Sequence, residues 1–379
     1  MTGRVSFEEL ECDDSDHKIG VAILENTASL NALTFDMLVQ LKDKLMTWQD
    51  DEHIVSVFLD GAGEKAFCAG GDVRSMYHAM KSETVSTSQA FLTDYFAIEY
   101  QCDYLIHTYK KPIIAWGDGI VMGGGIGLYI GASHKVVTPK SRLAMPEISI
   151  GLYPDVGGTW FLNQLEPGIG LFLGLTGAPI NASDAIALNI ADNFLLSEYK
   201  STVLEHLQAN SWRGIDDNHA MVSELLDSLS QPTIHHQPAS QLVPYFSHIQ
   251  AACSGSDLNT ICQNILAMEG MGQWIETAKH TLEVGSPITA HICFRQVTQC
   301  QSLSLAECFK LELSLSVRCG ALGEFQEGVR ARLIDKSGEP NWLFKTVNEV
   351  DTTIIDTLFT SLWPEETHPL AQLDNTVSL

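Results

Sequence analysis

The chain has 379 residues, 45% of them hydrophobic, with 47 acidic side chains against 22 basic ones and a formal net charge of −25. Length and apolar content predict a globular protein of one large domain or two ordinary ones. The charge argues against nucleic acid or an anionic membrane as the main partner, since both demand a basic surface. Nine cysteines, an odd number without a CxxC pair, and an acidic N-terminal stretch without a signal-peptide pattern predict reduced thiols in a cytoplasmic, cytosol-like compartment.

In chain order, residues 19–24 (IGVAIL) form a short β-type run. Leu30-Asn31-Ala32-Leu33 follows, and Thr34 has the chemistry of an N-cap for a helix whose Phe35, Leu38, Leu41, Leu45 and Trp48 recur at helical spacing. A second β run, Ile54 to Leu59, leads through Gly61-Ala62-Gly63 into Ala69-Gly70-Gly71-Asp72. Asp72 reads as the N-cap of a helix through Met80. The Gly71 N–H, at a loop-to-helix junction, reads as a ready donor to an anion. GAGEKA at 61–66 lacks the helix that a dinucleotide fingerprint needs at its third glycine position and is read as a turn. Walker A, HExxH and GxSxG motifs are absent.

Residues 89–109 carry a helical pattern that includes Glu99, Lys111-Pro112 ends it, and Ile113 to Trp116 starts a strand. The apolar run Pro112 to Ala132 has the length of a membrane span, but Asp118 and its glycines favour close-packed backbone instead. Next comes the most informative stretch, Gly117 to Gly158. It holds Gly123-Gly124-Gly125 and two carboxylates, Glu147 and Asp155, among Met145, Pro146, Ile148, Ile150 and Leu152. Burying an ionised group in such surroundings is costly, so these two carboxylates are not read as mere solvent decoration. Backbone donors beside carboxylates suggest acyl-group chemistry.

Leu171 to Leu175 and Ala182 to Ile190 read as helices, with capping residues at Asn181 to Asp184. Residues 209–240 are polar, contain Pro232, Pro238 and His235-His236, and read as a connector without a metal site. Residues 241–335 are helical in pattern. No internal repeat is visible. The expected organisation is a catalytic core over 1–208 and a connector with a helical C-terminal region over 209–379.

These residues resemble the crotonase (enoyl-CoA hydratase/isomerase) superfamily. The resemblance rests on Leu30 to Leu33, Ala69 to Asp72, Gly123 to Gly125, Pro146-Glu147 and Gly157-Gly158. Within the superfamily, MPEISIGLYPDVGG and GEFQEGVRARLIDKSGEPNW are similar to the 3-hydroxyisobutyryl-CoA hydrolases. The resemblance implies an α/β fold, a spiral of ββα turns with a helical C-terminal region. It implies that Gly71 and Gly124 supply the N–H groups of an oxyanion hole, that Glu147 is the catalytic carboxylate and that Glu99 contacts the acyl end. Asp155 stands where hydratases carry glycine, and Gly127 where they carry a second glutamate. Relatives often have a basic residue near Ala28-Ser29 and a lysine at His291. Lys65 and Arg74 are the candidate replacements toward coenzyme A.

The implied reaction is hydrolysis of a short branched 3-hydroxyacyl-CoA, as in valine breakdown. An acyl-CoA is the small-molecule partner, coenzyme A is part of the substrate rather than a cofactor, and a homo-oligomer is expected. Glu147 is the nucleophile or general base. Asp155 orients the 3-hydroxyl or assists proton transfer to the leaving thiolate. The alternative, an enoyl-CoA hydratase or isomerase, needs a second acid–base group that Gly127 cannot supply. A non-enzymatic acyl-CoA-binding protein would not need either carboxylate.

Overall fold

The computed structural model describes residues 3–13, 16–82 and 84–375. The run at 19–24 lies in the second of two strands that open the chain, β1 (Arg4–Glu11) and β2 (Lys18–Glu25). The sequence pattern gives no sign of β1, because it is a sheet edge with only Val5 buried. The remaining strands are β3 (Ile54–Gly61), β4 (Ala66–Cys68), β5 (Ile113–Gly117), β6 (Ile120–Met122), β7 (His134–Val137), β8 (Arg142–Ala144), β9 (Ile180–Asn181) and β10 (Asn193–Phe194).

A long strand repeatedly passes to a short one. β3, β5 and β7 belong to a six-stranded sheet of order β1-β2-β3-β5-β7-β10, and β4, β6 and β8 to a four-stranded sheet of order β4-β6-β8-β9. The first sheet is parallel from β2 to β10, with β1 antiparallel at its edge. Helices Val73–Ser82 and Gly124–Ile130 follow β4 and β6, completing ββα turns. This is the spiral α/β architecture that the sequence resemblance implies.

By compactness the chain forms two units. The first comprises Met1–Gly71, Gln101–Leu143 and Ile180–Val243. Its core joins Ile19, Val21, Phe58, Ile114, Trp116 and Val136 from the main sheet to Val203, Leu207, Val222 and Leu226. Helix Phe35–Asp50 is capped by Thr34, whose Oγ1 accepts from the Met37 N–H at 3.3 Å. It buries Leu38, Leu41, Leu45 and Trp48 as its spacing predicts, while Phe35, at the N-terminal edge of the stripe, is 40% exposed. Asn181 and Asp184 form a capping box on Ala182–Ala187.

The segment 209–240 is not a bare connector. It contains helix Ile215–Ser230, whose Val222 and Leu226 enter the core, followed by a 3-10 turn Gln231–His236. Polar residues dominate this segment because only one narrow face is buried. His235 and His236 are both exposed, their ring centroids 4.1 Å apart and their planes tilted by 40°.

The second unit comprises Asp72–Tyr100, Ala144–Pro179 and Pro244–Leu379. Asp72 is the N-cap that the sequence predicts, with Oδ1 accepting from the Ser75 N–H at 3.2 Å. C-terminal helices Gly272–Val284, Pro287–Gln299, Leu305–Leu322 and Glu324–Val329 dominate this unit. Three of them pack on the short helical turn Glu147–Ile150, namely Gly272–Val284, Pro287–Gln299 and Glu324–Val329. The approach is so close that a Cβ at Gly328 would overlap the Ile150 backbone. Ser286, with Pro287 behind it, caps the second of these helices. A capping box between Ser304 and Glu307 starts helix Leu305–Leu322, and such caps contribute about 1 kcal/mol each. Among the described residues, no helix is long and apolar enough to cross a membrane.

Candidate active site

In the first unit the motif Leu30 to Leu33 braces a donor loop. Leu30 and Asn31 have φ of 54° and 58°. The buried Asn31 amide donates to the Ala62 and Ala66 carbonyls at 2.9 and 2.8 Å, fixing the β3–β4 connection. Backbone bonds from the Ala69 N–H to Leu30 O and from the Leu33 N–H to Gly70 O then tie down the loop that ends at Gly71. A Cβ at Gly70 would stand 3.6 Å from the Gly124 nitrogen, so this loop lies against the start of helix Gly124–Ile130.

The triple glycine has a distinct reason at two positions. Gly123 has φ of 52°, and a side chain at Gly125 would overlap the Cys68 carbonyl. Among the described residues, neither the Gly71 nor the Gly124 N–H has a protein acceptor. Two neighbouring backbone donors are thus unused within the described protein, Gly124 at the start of a helix, where the first N–H groups have no intrahelical acceptor. Gly127 sits inside the same helix and brings no side chain.

In the second unit the structure brings Glu99, Glu147 and Asp155 together. They are 2%, 4% and 3% exposed, and no lysine or arginine pairs with them among the described residues. Among the described residues, Glu99 Oε1 and Glu147 Oε2 have no hydrogen-bond partner. Asp155 Oδ2 accepts from the Tyr100 hydroxyl at 2.6 Å. Tyr100 Oη lies 2.7 Å from Ser316 Oγ, and Ser316 Oγ lies 2.8 Å from Tyr153 Oη. Tyr153 donates to the Glu312 carbonyl at 2.7 Å.

Burial sets the acidity of the cluster. It pushes Asp155 up to about 7, against the opposing donation from Tyr100. It pushes Glu147 well above the carboxylate range, and the charge of Asp155, then that of Glu99, adds to the rise. Glu99 is raised in the same way, by burial and then by Asp155. A carboxylate that receives a hydroxyl proton is easier to ionise than one left bare. Asp155 therefore ionises first, and its charge holds the proton on its two neighbours.

Sequence reasoning missed Tyr100, Tyr153, Ser316 and Glu312. A signal existed for the last two. Glu312 and Ser316 are four residues apart on one face of a helix whose neighbours Leu313, Leu315 and Val317 are all buried. Of the replacement cations, Lys65 is exposed in the first unit and Arg74 exposed in the second. His291 is held by its Nε2 at 2.8 Å from the Val347 carbonyl. Among the described residues, no group of three or more His, Cys, Asp or Glu could hold a metal ion.

A family model described as enoyl-CoA hydratase/isomerase matches residues 19–359. The chain belongs to the enoyl-CoA hydratase/isomerase family. The family match spans Gly71, Glu99, Gly124, Glu147 and Asp155. Among curated relatives, "3-hydroxyisobutyryl-CoA hydrolase, mitochondrial" of Danio rerio is 37% identical over 348 residues, 91% of this chain and 88% of the relative. The protein of the same name from Homo sapiens is 35% identical over 343 residues, 90% of this chain and 86% of the relative.

Solved structures are similar over almost the full length. A carnitinyl-CoA dehydratase from Mycobacterium thermoresistibile has a TM-score of 0.80 at 29% identity, covering 94% of this chain and 97% of that one. An enoyl-CoA hydratase from Rhodobacter sphaeroides has a TM-score of 0.78 at 27% identity with the same coverage.

Proposed function

We propose that this enzyme hydrolyses 3-hydroxyisobutyryl-CoA to 3-hydroxyisobutyrate and coenzyme A. The observation that carries the reading is Asp155, buried beside Glu147 and Glu99 and fixed by the Tyr100 hydroxyl. Relatives named 3-hydroxyisobutyryl-CoA hydrolase, matched over 90% or more of this chain, support it. The structures named hydratase and dehydratase support the family frame but not their reaction, because Gly127 leaves the second acid–base position without a side chain.

In the proposed reaction the Gly71 and Gly124 N–H groups form an oxyanion hole. They stabilise the charge that develops on the thioester oxygen, a contribution of about 3–4 kcal/mol per donor. Glu147 first gives up to solvent the proton that burial and Asp155 hold on it, and as a carboxylate it then attacks the carbonyl, directly or by taking the proton of an attacking water. Collapse of the tetrahedral species expels the coenzyme A thiolate, which takes up a proton, and water supplies the second acid oxygen. Asp155, ionised first, accepts the substrate 3-hydroxyl, with Glu99 at the acyl end. No cofactor enters this scheme, so activity should survive exhaustive chelation.

The test is thiol release from a panel of acyl-CoAs, run beside an enoyl-absorbance assay. Faster release from 3-hydroxyisobutyryl-CoA or 3-hydroxypropionyl-CoA than from straight-chain acyl-CoAs supports the reading. Enoyl hydration without thiol release overturns it. We further propose a homo-oligomer, to be tested by light scattering, and a reducing compartment, consistent with nine buried cysteines free of disulfides. The named relatives are mitochondrial, so cell fractionation decides between the mitochondrion and the cytoplasm.

A further inference from the structure

Asp155 begins a tight turn. Its carbonyl accepts from the Gly158 N–H at 2.7 Å, and the next residue, Val156, has φ of 51°. A β-branched side chain in that region costs about 1–3 kcal/mol and persists only where the surroundings enforce it. Two helices of the same unit do so. Gln296 Nε2 donates to the Pro154 carbonyl at 2.9 Å and to Thr159 Oγ1 at 2.7 Å. Glu312 accepts from the Gly157 N–H on Oε2 and from the Thr159 N–H on Oε1, both at 2.8 Å.

Glu312 is a costly anchor. It is fully buried, and no cation pairs with it among the described residues. What it offers is two acceptor oxygens in one plane for two N–H groups on either side of Gly158, where an amide has only one. The same residue grips the other side of Asp155, through the bond from Tyr153 to its carbonyl. One turn further along the helix, Ser316 contacts Tyr100, the hydroxyl donor to Asp155.

We propose that Glu312 is a positioning residue of the reaction, its carboxylate holding the strained turn at Val156 so that the Asp155 carboxyl stays aimed. The assignment rests on the hydrolase reading above. It goes beyond that reading by giving the C-terminal helix Leu305–Leu322 a part in turnover.

The test is a double-mutant cycle of Glu312→Gln and Asp155→Asn, assayed by thiol release from 3-hydroxyisobutyryl-CoA with folding checked by thermal melt. Glu312→Gln alone should lower kcat by about 10–100-fold while changing KM by less than about 3-fold. In the Asp155→Asn background the same change should cost less than about 3-fold, since the group it aims is already gone. Equal fold-losses in both backgrounds would overturn the proposal, because a general structural defect multiplies through. Glu312→Asp, which keeps both carboxyl oxygens but withdraws them by one methylene, serves in the same cycle if the glutamine variant does not fold. If neither variant folds, Glu312 is a folding residue and the proposal falls. A wild-type protein without thiol release on any hydroxyacyl-CoA would instead sink the hydrolase reading itself, whatever the cycle shows.

Discussion

Replacing Asp155 with asparagine should make the protein a poorer enzyme and, above neutral pH, a relatively more stable one. Asp155 has a folded-state pKa of about 7 against an ordinary value of 3.8. The folded state therefore holds a proton that the unfolded state has lost as pH rises from about 4 to 7. Stability falls through that window and is lowest above it. At about 1.4 kcal/mol per pH unit the difference amounts to roughly 4 kcal/mol, with little discount for screening because the group is fully buried. Asparagine keeps an acceptor for Tyr100 but introduces an amide N–H₂ that needs partners, a penalty of about 1–3 kcal/mol at every pH.

The informative quantity is thus the change between pH values. With an unfolding entropy of about 2.1 cal/mol/K per residue, the stability of the variant relative to wild type should improve by about 5 °C in Tm from pH 4 to pH 8. Thiol release should fall by about 10²–10⁴-fold. The assay is a set of thermal melts at half-unit pH steps on both proteins, paired with turnover. Parallel Tm–pH curves would refute the claim that Asp155 is held at raised proton affinity, and full turnover would refute its role.

Asp155→Asn should also move the acid limb of kcat/KM to lower pH, since the charge that helps raise Glu147 is removed. A limb that stays in place counts against the coupling. Glu147→Gln should lower hydrolysis by at least about 10³-fold with folding intact; near-normal turnover would remove Glu147 from the mechanism. Gly124→Pro takes away one donor at the first helical position, where proline is best tolerated, and should cost about 10²–10³-fold in turnover, read against a melt. Glu99→Gln removes a buried, unpartnered carboxylate, so its Tm should rise relative to wild type at pH 8 but not at pH 4. A gain of equal size at both pH values would point to packing instead of charge.

Much of this was readable in the chain. Elements with their own punctuation were legible: Thr34, Asp72 and Asn181 act as caps, and the stripe from Leu38 to Trp48 is buried. Glu147 and Asp155 stood out because carboxylates are rare among apolar neighbours, and the structure does bury them together with Glu99. The pairing that tunes them was not legible. Tyr100 and Ser316 are 216 residues apart in sequence, and a hydroxyl in a helix carries no local sign of its partner. β1 and helix Ile215–Ser230 were missed because each buries only a narrow strip. The ββα repeat left no trace in the sequence because it repeats backbone geometry, and unrelated residues satisfy it.

The interleaving of the two units has a consequence for synthesis. The first unit has all of its segments once Val243 has emerged from the ribosome, whereas the second draws on residues to the C-terminus. The turn carrying Asp155 is made early, but Gln296, Glu312 and Ser316, which bind it, are translated more than 130 residues later. Until then the nascent chain has Tyr100, the hydroxyl donor to Asp155, but not the helix residue Ser316 that contacts that hydroxyl. A message truncated before codon 305 would yield a complete first unit beside an Asp155 turn that lacks its Leu305–Leu322 anchors, a product for quality control to remove rather than a slow enzyme.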